Sequence, residues 1–125
     1  MAKIKVDGLA NAIAAELAAY DQEVTDGLKK EVRQVAKEMV TQLKQTSPRD
    51  SGEYASGWKA KVEHESAQDI RERVYNAKKP SLTHILENGH AKVNGGRVEG
   101  TPHIGPAEQQ AADKLENKAK VVARG

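Results

Sequence analysis

A chain of 125 residues with 20 basic and 18 acidic side chains, one Trp, three Tyr, no Phe and no Cys argues for a single domain, residues 1–125, whose modest core is Val, Ile, Leu and Ala. The absence of cysteine removes disulfides, thiol catalysis and Cys-ligated zinc, and fits assembly in a reducing cytoplasm. Charge is even along the chain, 7 basic against 7 acidic over residues 1–45, 9 against 8 over 46–105 and 4 against 3 over 106–125, so no segment is the basic tail of a strong nucleic-acid binder. The opening MAKIKVDGL lacks the apolar run of a signal peptide, and no stretch approaches the roughly 20 apolar residues of a membrane span. The expectation is a soluble protein with no membrane partner. So thin a core favours reinforcement by neighbouring subunits.

In chain order, Asp7 is placed to cap a predicted first helix running to about Tyr20, with Leu9, Ile13, Leu17 and Tyr20 at helical spacing. Val24, Leu28, Val32, Val35, Met39 and Leu43 continue the period as a strongly amphipathic helix, so two helices, or one with a bend near Asp21 to Gly27, are expected. Its opposite face carries Lys29, Lys30, Arg33, Lys37 and Glu38, which read as solvated charges of little individual weight. Pro48 disfavours helix for Ser47, and Asp50-Ser51-Gly52 supplies turn chemistry.

Two strand-like runs follow the turn. Trp58, Ala60 and Val62 alternate with Lys59, Lys61 and Glu63, and Ile70 and Val74 alternate with Arg71, Arg73 and Tyr75, so an antiparallel hairpin is predicted. Leu82, Ile85 and Leu86 fit a short helix after Pro80 that ends at Asn88-Gly89. Residues 90–100, with Gly95-Gly96 between valines, read as a tight hairpin turn or a flexible loop, and the loop is preferred. Thr101 to Ile104 is expected as a third strand or extended arm, with Pro106 opening a last helix on Ala111, Leu115, Ala119 and Val122. The fold class is α+β: a long N-terminal helical region and a C-terminal helix packed on a small antiparallel sheet.

Catalytic chemistry finds no foothold in the sequence. His64, His84, His90 and His103 lack an HExxH pair or any cysteine partner, which leaves no recognisable metal set. Gly95-Gly96-Arg97 lacks the spacing of a phosphate loop, and the serines have no nucleophile elbow. Glu63 and Glu65 serve solubility of the hairpin better than acid–base work. No enzyme activity and no cofactor are expected. Lys78, Lys79, Lys92 and Arg97 form the best local basic group; they suit passing contact with DNA phosphates as well as plain loop exposure.

Three islands carry a resemblance. Ser47, Pro48, Ser51, Gly52 and Tyr54, then Leu86, Glu87 and Gly89, then Pro102, His103, Pro106 and Ala107 stand in an order that resembles small neck proteins of siphophages and prophages, described as head–tail connector, tail-completion or tail-component proteins. His103 stands where many members carry an aromatic residue. The resemblance implies a virion protein, assembled in the host bacterial cytoplasm, that forms a ring of identical subunits, six by analogy. Its implied partners are the head connector and the tail-tube or terminator proteins. Arg49, Tyr54, Trp58, Lys78, Lys79, Lys92 and Arg97 are the candidate interaction residues, and Pro48, Gly52, Glu87, Gly89, Pro102, His103 and Pro106 the motif positions. A small nucleic-acid-binding phage protein is the alternative.

Overall fold

A computed structural model describes residues 3–7, 12–16, 21–48 and 52–124 of the chain, with side chains over 12–15, 21–48 and 52–118. Its longest element is helix α1, Gln22–Thr46. Asp21 caps it: the side chain accepts the Val24 N–H at 2.9 Å, which satisfies one of the donors a helix start leaves unpaired. Where two helices, or one bent near Asp21 to Gly27, are expected, a helix begins at Gln22 and runs unbroken through Gly27. Leu28, Val32, Val35, Ala36, Met39 and Leu43 form its buried stripe, and the chain leaves the helix at Ser47 in extended backbone, as Pro48 requires.

The main sheet is antiparallel, in the order β1-β2-β4-β3. Its strands are β1, Lys3–Asp7; β2, Ala12–Glu16; β3, Trp58–Glu65; and β4, Asp69–Asn76. The predicted hairpin is β3–β4, with Trp58 opposite Asn76 and Ala60 opposite Val74. A bulge between Val62 and His64 breaks the register, twisting the exposed end of an edge strand as such irregularities do.

The predicted first helix over Asp7 to Tyr20 is not formed where the chain is described: Asp7 ends β1, and Ala12–Glu16 is strand β2. Leu9, Leu17 and Tyr20 lie outside the described residues. The reason is tertiary. Ala12–Glu16 is the inner strand between β1 and β4, and Ile13 and Ala15, alternating rather than helical, are fully buried. Alanine fits either period, so the pattern alone could not separate the two.

After β4 come a 3₁₀ turn at Pro80–Leu82 and helix α3, Thr83–Asn88, as the sequence predicts. Between α1 and β3 sits one further turn of helix, α2, Glu53–Ser56, entered through Gly52 at φ 81°, a left-handed conformation that side chains resist. Residues 90–100 are not a loop throughout. β5, Gly89–Ala91, and β6, Arg97–Glu99, pair as a second small sheet. Thr101 to His103 forms no third strand, and helix α4, Ile104–Arg124, starts two residues before Pro106.

One core joins these parts. α1 lies on the sheet face that carries Ile13, Ala15, Trp58, Ile70 and Val74, and α4 contributes Ala107, Ala111 and Leu115. Ala119 and Val122 lie where side chains are not described. Lys118 pairs with Glu31 at 3.0 Å and Lys114 with Glu38 at 3.5 Å across the two helices.

Two charges depart from a simple solvated face. Lys29 is only 5% exposed; its ammonium reaches Glu65 at 3.2 Å and the Ser66 carbonyl, while Arg33 Nη2 donates to both Glu65 oxygens at 2.6 and 2.7 Å. Glu65 thus clamps α1 onto the β3–β4 turn rather than serving solubility alone, and the hydrogen bonds from Arg33 and Lys29 hold its carboxyl below the usual range. Glu63 pairs with Arg71 at 3.5 Å. Glu72 sits on the core face of β4, 6% exposed, and one of its carboxylate oxygens has no hydrogen-bond partner among the described residues. Burial raises its pKa against the lowering pull of Arg33 and Lys37.

Two outcomes follow from this core. Val35→Asp sets an unpaired charge at a position 1% exposed and should cost about 3 kcal/mol or more, read as a lowered Tm. The raised folded pKa of Glu72 means that its ionised form is disfavoured by folding, so its contribution falls as pH rises from the ordinary glutamate value through the folded one. Glu72→Gln should therefore raise Tm at neutral pH, and the gain should vanish below roughly pH 4; urea titrations at the two pH values measure it.

Candidate functional site

The three motif islands, far apart in the chain, meet at one buried point. From the turn after α1 come Ser47, Tyr54 and Trp58; from α3 comes Glu87; from the entry to α4 come Thr101 and His103. The Trp58 indole N–H donates to Ser47 Oγ at 2.8 Å. Tyr54 Oη and His103 Nε2 are 2.7 Å apart. The other ring nitrogen of His103, Nδ1, lies 2.6 Å from the Thr101 carbonyl and 3.0 Å from Glu87 Oε1.

Those two neighbours of Nδ1 are both acceptors, so Nδ1 carries the hydrogen and, in the neutral ring, Nε2 accepts from the Tyr54 hydroxyl. Tyr54 is suited to donate: burial, and secondly the charge of Glu87, push its pKa well above the ordinary phenol range. The rings of Tyr54, Trp58 and His103 meet edge to face in all three pairings, with centroids 5.5 to 6.3 Å apart, the arrangement aromatic quadrupoles prefer. His103 thus does the packing work of an aromatic residue, with two hydrogen bonds besides.

Glu87 is the hinge of the cluster. Its carboxylate accepts the backbone N–H groups of His103 at 2.7 Å, Ile104 at 2.8 Å and Gly105 at 3.0 Å. These are donors that the start of α4 leaves without helical partners, and a negative charge there also meets the positive end of the helix dipole. Burial raises the Glu87 pKa, but the N–H groups of Gly105, His103 and Ile104 and the nearby His103 ring outweigh it, and the net shift is downward.

Asn76 extends the cluster into the sheet and has no counterpart among the predicted residues. It is 3% exposed, its amide donates to the Tyr54 carbonyl at 2.7 Å, and its Oδ1 accepts from the Lys79 N–H at 2.9 Å. The cue was its position at the end of a strand next to Ala77-Lys78-Lys79, where Asn commonly closes a turn. Gly89 closes α3 at φ 78°, and a Cβ there would lie 2.2 Å from the Val98 carbonyl oxygen, so glycine is required both by the backbone and by the approach of β6.

The remaining candidates fall elsewhere. Tyr54 and Trp58, candidates for intermolecular contact, are 5% and 1% exposed; their contacts are inside the chain. Lys78 donates to Ser56 Oγ at 3.0 Å and Lys79 pairs with Glu53 at 3.4 Å. Lys92 and Arg97 lie on the β5–β6 hairpin, where Arg97 donates to the Asn88 carbonyl. Pro48 is half-buried after α1, Gly52 opens α2, and Pro102 and Pro106 are exposed beside His103. Arg49 lies outside the described residues. The four basic candidates are thus split between two places. Among the described residues no group of three or more His, Cys, Asp or Glu is placed to hold a metal ion.

A Tyr–His–Glu chain whose histidine side chain has no exposure offers no nucleophile to a substrate and no room for one. It is a lock that joins a turn, a short helix and the entry to α4. The model of one protein family, "Bacteriophage HK97-gp10, putative tail-component", matches residues 11–89, more than half of the chain. The chain belongs to this HK97-gp10-like family of phage tail components. No curated protein and no solved structure is significantly similar to it. The matched span contains the first two islands; the third, Pro102 to Ala107, lies beyond it and is tied to them through Glu87. Among the described residues no helix is long and apolar enough to cross a membrane.

Because Glu87 has a depressed folded pKa, the stability it contributes is present above the ordinary glutamate value and is lost as pH falls through the folded one. Glu87→Gln should cost about 2 kcal/mol at neutral pH and should flatten the loss of stability on acidification. Thermal melts between neutral pH and the acid limb, compared with wild type, measure both effects; an unchanged Tm at neutral pH would show that the cap carries no stability.

Proposed function

We propose that this tail-component protein acts by assembly, as a structural ring subunit that joins or completes the head–tail neck, and that it turns over no substrate. The observation that carries this reading is the β5–β6 hairpin. Every residue from His90 to Glu99 is exposed, including Val93 and Val98. The hydrogen bonds that tie it to the body lie at its base, from Arg97 to the Asn88 carbonyl and from the Thr101 N–H to the Leu86 carbonyl. Ile85, on the adjoining α3, adds a further exposed apolar side chain.

An arm with apolar side chains on a body whose Tyr54, Trp58 and His103 rings are turned inward suits a heterologous contact, in which one face of a subunit meets a different face of the next. In this reading the base is held rigid by the Glu87–His103 lock, and the tip, with Gly95 and Gly96 at positive φ, is mobile in the free protein and orders on assembly. The ring, six subunits by analogy, would sit between the head connector and the tail-tube or terminator proteins in the virion.

Deletion of the gene in an inducible phage should leave DNA-filled heads and separate or defective tails, seen by electron microscopy, with DNA replication intact. Val93→Asp and charge reversal at Lys92 should leave the Tm of the isolated protein unchanged and lower the yield of joined particles. Normal infectious particles from the deletion strain would rule out the neck role.

A further inference from the structure

On the sheet face turned away from α1, the β3–β4 hairpin and α3 enclose a groove of about 510 Å³. Lys61 and Arg73 lie in it, directly opposite one another on β3 and β4. His84 and Thr83 of α3 contribute to the lining, as does Tyr75, over whose ring the Lys61 ammonium sits 5.1 Å from the centroid. Lys59, opposite Tyr75, continues the same row. None of the described lining residues is acidic.

Two cations directly opposed on neighbouring strands destabilise a sheet, and here no described acid relieves them. Glu63, two residues beyond Lys61 on β3, pairs with Arg71 at 3.5 Å. The structure therefore leaves two exposed cations in register on neighbouring strands, beside the His84 ring of α3; the Thr83 hydroxyl is already committed to the Pro80 carbonyl at 3.1 Å. An anion bridging Lys61 and Arg73 would remove the repulsion, and Arg73 presents the planar donor fork that matches a phosphate.

We infer that the Lys61–Arg73–His84 groove is a binding site for the phosphate backbone of duplex DNA. An acidic protein segment is the competing polyanion and enters the test below as a competitor; what the described lining residues offer is two cations with the rings of His84 and Tyr75, and only Ala77 and Pro80 as aliphatic surface. Phosphate contacts need only cations and neutral donors and carry no base sequence, which is what the groove supplies. The site is separate from the exposed hairpin, and it stands whether or not the hairpin makes a ring.

The test is fluorescence anisotropy of a labelled mixed-sequence DNA duplex with the purified full chain across a range of salt concentrations, with a single strand and polyglutamate as competitors. Wild type should bind the duplex in a salt-dependent manner without sequence preference. Lys61→Gln with Arg73→Gln should weaken binding roughly tenfold at low salt and lower the log–log salt slope by about 2. The Tm of that variant should equal or exceed that of wild type, because the repulsive pair is gone. Lys92→Gln with Arg97→Gln removes the same charge from the hairpin and should leave affinity nearly unchanged. Absence of duplex binding by wild type, an equal loss from the two double variants, or displacement of duplex by polyglutamate at lower concentration than by unlabelled duplex would each overturn the assignment.

Discussion

The fold depends on one carboxylate. Helix α4 supplies Ala107, Ala111 and Leu115 to the core, but a helix can bury its stripe only if its unpaired first N–H groups are satisfied where it enters the protein. Glu87 does this for three consecutive N–H groups at once. It does so from α3, so the same contact that starts α4 also fixes where α3 ends and where the β5–β6 hairpin leaves the body. His103, held between Glu87 and Tyr54, passes that constraint to the turn after α1 and, through Asn76 on the Tyr54 carbonyl, to the end of β4.

A second constraint holds the opposite end of the molecule. Glu65 at the end of β3 is gripped by Lys29 and Arg33 of α1, so the long helix is fastened to the β3–β4 turn by charge and to the rest of the sheet by aliphatic packing. Single surface ion pairs contribute little; this one differs because Lys29 is buried and its ammonium also has the Ser66 carbonyl. With few aromatic residues to fill a core, two polar clamps and one cluster of three rings do the aligning that larger side chains do elsewhere.

The division between inside and outside bears on what a tail component of this family does. The motif residues with the most chemistry, Tyr54, Trp58, Glu87 and His103, are spent on internal architecture. What faces outward is an exposed hairpin with one valine near its tip and another on β6 and, on a different face, a row of cations between two strands and α3. Those features suit a protein whose work is contact with other macromolecules, and they lie on separate elements.

Much of this was legible in the sequence. The 3.6-residue stripe from Leu28 to Leu43 and the alternation from Trp58 to Tyr75 specify α1 and the β3–β4 hairpin because each period points one set of side chains to one side. Pro80 and Gly89 punctuate α3 through their backbone restrictions and freedoms. The motif residues could be named in advance, though not their meeting. What only the tertiary structure decided were matters of long-range pairing. The alanine-rich Ala12–Glu16 became a strand because it lies between β1 and β4; Lys29 left the solvated face because Glu65 came beneath it; Gly89–Glu99 became a hairpin because β6 could pass close to a residue without a side chain. Lys61 and Arg73, twelve positions apart, became neighbours only through the register of two strands, and no local pattern of charge carries that information.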